Sequence, residues 1–422
     1  MPNRRLAPPL KQLDDFVLTD FKVHHLDNGI PVYEINKGTQ EILKLEVIFF
    51  AGRWYEDKQL AARATARLIK EGTSTLSSAE IAETIDFYGG TFRTSSNMDT
   101  SSVTLFCLTK HFEKLLPLLK EVLVNPSFPE KELKTYVENQ NQRLKVELTK
   151  NEVVAYRELT SAFFGNDHPY GYNSSPEMYR ALETKDLQRH FANQYISENC
   201  HIILSGKTSP EILSNLNAYL GKSIASGQIR SFDHVLQPYL EKKIELDIPG
   251  SVQSAIRLGQ IAVGRKHEDY PGLFVLNTIL GGYFGSRLMS NLREDKGYTY
   301  GIYSSIDSLL RSSYLYVGSE VASEVTSQTL DEIYKEFRTL RENPIPEKEL
   351  QKVRNYMMGV ILNSLDGPFN VAAVIKTLIL ENVDTSFLDN LLKKIQTVTP
   401  AELQILAQKY LREEDMYEVI VR

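Results

Sequence analysis

Two short stretches hold side chains whose types and spacing could do chemistry. In Leu280-Gly281-Gly282-Tyr283-Phe284-Gly285-Ser286-Arg287-Leu288, followed by Leu292-Arg293-Glu294-Asp295-Lys296-Gly297-Tyr298-Thr299-Tyr300, an arginine and a tyrosine stand seven residues apart. Arg293 presents a planar fork of donors suited to a peptide carbonyl or a carboxylate. Tyr300 presents a neutral hydroxyl able to donate to a developing oxyanion. Tyr298, two residues earlier, would face the same side of a strand and rivals Tyr300 for that role. The bland alternative is a surface ion pair between Arg293 and Glu294 or Asp295, with Tyr300 packed on a sheet. Gly281, Gly282 and Gly285 do not read as a phosphate loop, because they follow an apolar helical run and no Gly-Lys-Ser/Thr closes them.

The second stretch is Arg63-Ala64-Thr65-Ala66-Arg67. On a helix, positions i, i+3 and i+4 share a face, the spacing at which two histidines and a glutamate can hold zinc and activate its water. Here that face carries Arg63, Ala66 and Arg67. Arginine is always protonated and offers only donors, so it supplies no lone pair to a metal, and alanine supplies no general base. The eight histidines include no i,i+4 pair, and His267-Glu268-Asp269-Tyr270-Pro271 ends in a helix-breaking proline where a second ligand would stand. Arg63 and Arg67 are then either a solvated helix face or partners of carboxylates such as Glu56 or Glu138.

The elements that must position these residues are legible in outline. Strand-like runs occur at Leu43 to Phe50, Ser102 to Leu108 and His201 to Leu204, and again at Lys243 to Ile248 and Val252 to Leu258. Helices are predicted over Ser77 to Tyr88, with capping-box spacing at Ser77 and Glu80 and a stop at Gly89-Gly90, over Lys131 to Leu148, and over Pro271 to Leu280. Asn125-Pro126-Ser127-Phe128-Pro129-Glu130-Lys131-Glu132-Leu133 returns as Asn343-Pro344-Ile345-Pro346-Glu347-Lys348-Glu349-Leu350. Each copy follows a helical run and opens a long helix, which favours an internal duplication. The expected fold class is α+β, two similar domains each made of a mixed β-sheet covered by helices, divided as 1–225 and 226–422. The stretch from Gly206 to Gln237 reads as the linker.

With these motifs in place, the chain resembles the pitrilysin/insulinase family of zinc peptidases from Leu26-Asp27-Asn28-Gly29 to its C-terminus. The second-domain signature of that family contains an Arg and a Tyr seven apart, matched by Arg293 and Tyr300. Its first-domain signature is an inverted zinc motif, His-x-x-Glu-His, between a Gly-(x)3-Glu run and a Gly-Thr pair. The frame survives as Gly52-Arg53-Trp54-Tyr55-Glu56 and Gly72-Thr73, while Arg63 and Arg67 occupy the ligand positions. The family's third ligand precedes a segment represented by Ala162-Phe163-Phe164-Gly165-Asn166-Asp167-His168-Pro169; counting back places it at or next to Gln142, with Glu138 and Glu147 about a turn away on either side. The resemblance implies a zinc-free subunit of a heterodimeric peptidase. Zinc would be held by a homologous partner with an intact His-x-x-Glu-His, and this chain would add Arg293 and Tyr300 in trans. Gly281, Gly282, Gly285 and Tyr298 would touch the peptide substrate. The runner-up is a structural or substrate-presenting subunit with no catalytic part.

Composition bounds the rest. A chain of 422 residues, 42% of them hydrophobic, can bury more than one core. A formal charge of -6 and a pI near 5.9, without a dense basic cluster, argue against nucleic acid. Met1 to Pro9 lacks the apolar region of a secretory signal, and no apolar run approaches the ~20 residues of a membrane span. Cys107 and Cys200 sit in strand-like runs as reduced core residues. A cytoplasmic location is the default, with export beside a partner as the alternative.

Overall fold

The computed structural model describes residues 21–422; Met1 to Pro9, which carry the expectation of no secretory signal, lie outside the described residues. The first half runs β1 (Lys22–His25), β2 (Pro31–Asn36), β3 (Ile42–Phe49), α1 (Ala61–Leu68), α2 (Ser78–Phe87), β4 (Thr91–Ser96), β5 (Ser101–Leu108) and α3 (Phe112–Val124). It continues with α4 (Glu130–Glu147), α5 (Asn151–Phe164), α6 (Pro176–Arg180), α7 (Thr184–Gln194), β6 (Cys200–Gly206) and α8 (Pro210–Leu220). The predicted capping box at Ser77 and Glu80 opens α2, and Gly89 takes a positive φ of 61° just past its end. The expected linker contains α8, because Ser209 caps Ile212 N–H and Pro210 occupies the first turn. The irregular connection is therefore confined to 221–242.

The second half repeats the plan as β7 (Lys243–Leu246), β8 (Gln253–Ala262), α9 (Tyr270–Leu280), β9 (Ile302–Ser308), β10 (Ser313–Ala322) and α10 (Thr326–Glu342). Then come α11 (Glu347–Ser364), α12 (Pro368–Leu380), α13 (Ser386–Thr397), α14 (Pro400–Tyr410) and β11 (Tyr417–Val421). The echoed segments open α4 and α11, each of 18 residues and each preceded by an extended proline, Pro129 or Pro346. The sheet orders are β1-β2-β6-β3-β5-β4 and β7-β11-β8-β10-β9. Leaving out β1 they correspond strand for strand in order and direction, with β2–β6 and β11–β7 parallel and every other pair antiparallel. The protein is thus two similar mixed sheets covered by helices.

Period-two alternation explains how the halves lock together. On central strand β3, Leu43, Leu45, Val47 and Phe49 enter the first core, while Ile48 points to the opposite face, where it meets Val371, Ala372 and Ile375 of α12. On β10, Leu315 and Val317 enter the second core, while Tyr314 and Tyr316 meet Leu159 and Phe163 of α5. Each half therefore lends a helix to the other's sheet. The exchange is reinforced by Lys376 on α12, which pairs with buried Glu46 at 2.9 Å. No single helix among the described residues is long and apolar enough to cross a membrane; the apolar pair α11–α12 bends by 104° between its members.

Candidate functional site

Helix α1 is eight residues long and begins after Leu60, whose left-handed φ of 71° turns the chain into it. Ala61, Ala64 and Leu68 pack into the first core, which leaves Arg63 and Arg67 exposed on the other side. They border a groove of about 590 Å³ with Ser95 and Ser96 of β4 and with Asn139, Gln140 and Arg143 of α4. Gln142 points elsewhere, into a separate groove with Glu138 and Asn141. The helical period of α4 is the reason: Tyr136, Asn139, Gln140 and Arg143 share the face toward α1, and Gln142 is rotated off it. Neither Arg63 nor Arg67 forms an ion pair among the described residues; of the two alternatives, pairing with Glu56 or Glu138 is not made, and both side chains are exposed. Arginines and an alanine are no donor set for zinc, and no group of three or more His, Cys, Asp or Glu among the described residues is arranged to hold a metal.

Glu56 is engaged beneath α1. Its carboxylate accepts from the Tyr172 hydroxyl and, at 3.0 Å, from the Ala62 N–H, which caps the first turn of the helix. Arg53 stacks on the Tyr172 ring, 3.1 Å from its centre, and donates to the Tyr172 carbonyl. Burial pushes the Glu56 carboxyl from 4.5 up to about 7, against the opposing pull of the Tyr172 hydroxyl and the Arg53 charge. Arg53 and Glu56 stand in the sequence as part of the Gly-(x)3-Glu frame. Tyr172, 116 residues after Glu56, gave no local signal of its part.

In the second half, α9 ends at Leu280 and the glycines follow. A Cβ on Gly281 would lie 2.5 Å from the Ser304 backbone nitrogen on β9, and one on Gly282 would lie 2.7 Å from the Thr278 Cα. One on Gly285 would meet the Tyr283 ring at 2.8 Å. Close packing by the chain itself thus accounts for all three. Arg293 sits in a π-helical turn, Met289–Asp295, with its guanidinium 4.6 Å from the centre of the Phe284 ring. It has no carboxylate partner among the described residues, so the ion pair with Glu294 or Asp295 does not form. Tyr298 and Tyr300 precede β9 instead of lying on a strand. The expectation that they share one strand face is corrected accordingly: Tyr298 is half-buried against the second core, whereas Tyr300 is 94% exposed. The groove beside Arg63 and Arg67 includes neither Arg293 nor Tyr300.

Between the halves, Asp99 in the β4–β5 turn accepts from the Tyr170 hydroxyl and from the Leu310 N–H at 3.1 Å, and it lies 3.4 Å from Arg311 in the β9–β10 turn. Arg311 also lies over Trp54 and donates to the Tyr55 hydroxyl at 2.9 Å. The two hairpins that carry the sheet edges are therefore clamped to each other and to the Gly52–Glu56 frame.

The family model "Insulinase (Peptidase family M16)" matches residues 32–171 and "Peptidase M16 inactive domain" matches 181–357. The chain belongs to the M16 peptidase family. It is 25% identical to "Uncharacterized zinc protease YmxG" of Bacillus subtilis (strain 168), over 82% of this chain and 84% of that one. It is 23% identical to "Non-peptidase homolog YmxG" of Helicobacter pylori, over 75% and 74%. A peptidase M16 inactive domain from Pseudomonas fluorescens superimposes with a TM-score of 0.84 at 24% identity, covering 95% of this chain and 98% of that one. A Helicobacter pylori protease does so with a TM-score of 0.86 at 17% identity, covering 96% and 100%.

Proposed function

We propose that this inactive M16-type chain is the zinc-free subunit of a heterodimeric peptidase. Its homologous partner holds zinc on an intact His-x-x-Glu-His helix, and Arg293 and Tyr300 complete that partner's site. The observation that carries the reading is the state of the pair: Tyr300 is 94% exposed, and Arg293 has no acidic partner among the described residues. Donors left free of internal partners are available to a carbonyl or a developing oxyanion on another chain. The partner's zinc would supply the nucleophilic water, and this chain would orient the peptide and stabilise charge.

The test is co-purification with a chain from the same genome that carries His-x-x-Glu-His, with zinc quantification and a peptide-cleavage assay. Arg293→Ala and Tyr300→Phe are expected to lower kcat/KM by about 10²-fold or more, the scale of an oxyanion donor, while the complex still forms with one zinc in the partner. Cleavage unchanged by both substitutions would refute the catalytic role. A second reading, a structural subunit without catalytic part, is favoured at one point: packing alone explains Gly281, Gly282 and Gly285, so they need not grip a peptide.

A further inference from the structure

Arg63 joins two neighbouring concavities into one cleft. The first, of about 360 Å³, is lined by Arg53, Arg63 and Arg157 together with Glu56. The second, of about 590 Å³, is lined by Arg63, Arg67 and Arg143 together with Glu71 and Glu132. Elsewhere this acidic protein neutralises its arginines. Of the nineteen among the described residues, twelve have a carboxylate oxygen within ion-pair distance. Five of the other seven line this one cleft; the remaining two are Arg93 and Arg293.

None of the acids present forms an ion pair with these five arginines among the described residues, although the Glu56 carboxyl acts on the Arg53 charge. Glu71 accepts from the Ser78 hydroxyl at 2.6 Å and lies 3.9 Å from Lys70. Glu56 is committed to Tyr172 and the start of α1. Among the described residues the Arg157 guanidinium donates to the neutral Ser174, at 2.7 Å to its carbonyl and 3.3 Å to its hydroxyl. The Arg53 Nε is buried without a hydrogen-bond partner among the described residues. Guanidinium groups left with unused donors along a polar cleft form a receptor for carboxylates.

We propose that this cleft binds an acidic peptide segment, with carboxylates laid along Arg53, Arg157, Arg63, Arg67 and Arg143. Arg53 and Arg157 line the first concavity, Arg67 and Arg143 the second, and Arg63 both, so a single small anion would meet only part of them, whereas successive Asp or Glu side chains can meet them in turn. Ser96, which lines both concavities, and Asn97 and Asn139 add neutral polar atoms of the kind that accommodate a peptide backbone. The proposal needs neither the partner chain nor Arg293 and Tyr300, so it can fail while the heterodimer reading stands, and the reverse.

The test uses the full chain alone and a fluorescent hexaglutamate peptide, followed by anisotropy. The peptide is expected to bind, its hexaglutamine analogue at least about tenfold more weakly, and binding should weaken as salt rises from about 0.05 to about 0.3 M. Arg63→Ala combined with Arg67→Ala should weaken binding about tenfold or more, because both side chains are exposed and contribute by charge. Arg93→Ala, outside the cleft, should leave it unchanged. Equal binding of the glutamine peptide, or indifference to the double substitution, overturns the proposal. So does displacement of hexaglutamate by inorganic phosphate at equal concentration, which would mark a free-anion site, or tighter binding of an oligoribonucleotide than of hexaglutamate.

Discussion

Replacing Glu56 by glutamine removes a titrating group from beneath α1 while keeping its shape and one carbonyl oxygen. The carboxyl titrates at about 7 in the folded protein against its ordinary 4.5, so folding takes up a proton between these values. The stability that this uptake contributes is fully present below 4.5 and is lost as the pH rises through about 7. At about 1.4 kcal/mol per pH unit, the parent forfeits up to ~3 kcal/mol above that point. Glutamine forfeits nothing with pH, but its NH2 replaces one of the two oxygens that accept from the Tyr172 hydroxyl and the Ala62 N–H and can only donate, a loss of about 1 kcal/mol at every pH. Glu56→Gln should therefore be less stable than the parent by about 1 kcal/mol near pH 4 and more stable by about 2 kcal/mol near pH 8. The two stability curves should cross within the window from 4.5 to about 7. Urea unfolding at a series of pH values measures this directly, with Trp54, the only tryptophan in the chain and two residues from Glu56, as the fluorescent reporter. A constant offset across the series would refute the reasoning, since it would mean that the carboxyl is not held protonated by burial.

Other outcomes follow from the same geometry. Arg63→His, Ala66→Glu and Arg67→His together with Arg143→Glu should gain stoichiometric zinc by metal analysis, whereas the same triple change with Gln142→Glu should not, because Gln142 faces the other groove. Arg311→Ala leaves buried Asp99 without its cationic neighbour and should cost about 2 to 3 kcal/mol in urea unfolding; a loss under about 0.5 kcal/mol would show that the clamp between the hairpins is weak. Gly281→Ala places a methyl 2.5 Å from the Ser304 nitrogen and should lower stability by about 1 to 3 kcal/mol. Tyr300→Phe should leave the melting temperature of the isolated chain unchanged, as befits a residue 94% exposed.

Much of the fold was legible because its signals are local. The capping box at Ser77 and Glu80, the prolines before α4 and α11, and the alternation along β3 each fix an element within a few residues. The doubled plan was legible from one echoed segment. What stayed hidden depends on contacts distant in sequence. Gln142 and Arg143 differ by one position, and only the packing of α4 decides which of them faces Arg63 and Arg67. Tyr298 and Tyr300 look equivalent by spacing, but the chain ahead of β9 is irregular and buries one of them in part. The Glu56–Tyr172 hydrogen bond spans 116 residues. The exchange of α5 and α12 between sheets leaves no mark beyond the apolar character of α12 and the Ala162-Phe163-Phe164 end of α5.

That exchange has a consequence for how the protein is made. The outer face of the first sheet, including Ile35, Ile48 and Ile203, is complete once β6 has been synthesised, yet its cover, α12, is encoded more than 160 residues later. During synthesis the first half waits with an open apolar face, the condition under which chaperones engage a nascent chain and under which a neighbouring polypeptide can dock a helix of its own. A gene split near residue 225 would part each sheet from the helix that covers its outer face, α12 from the first and α5 from the second.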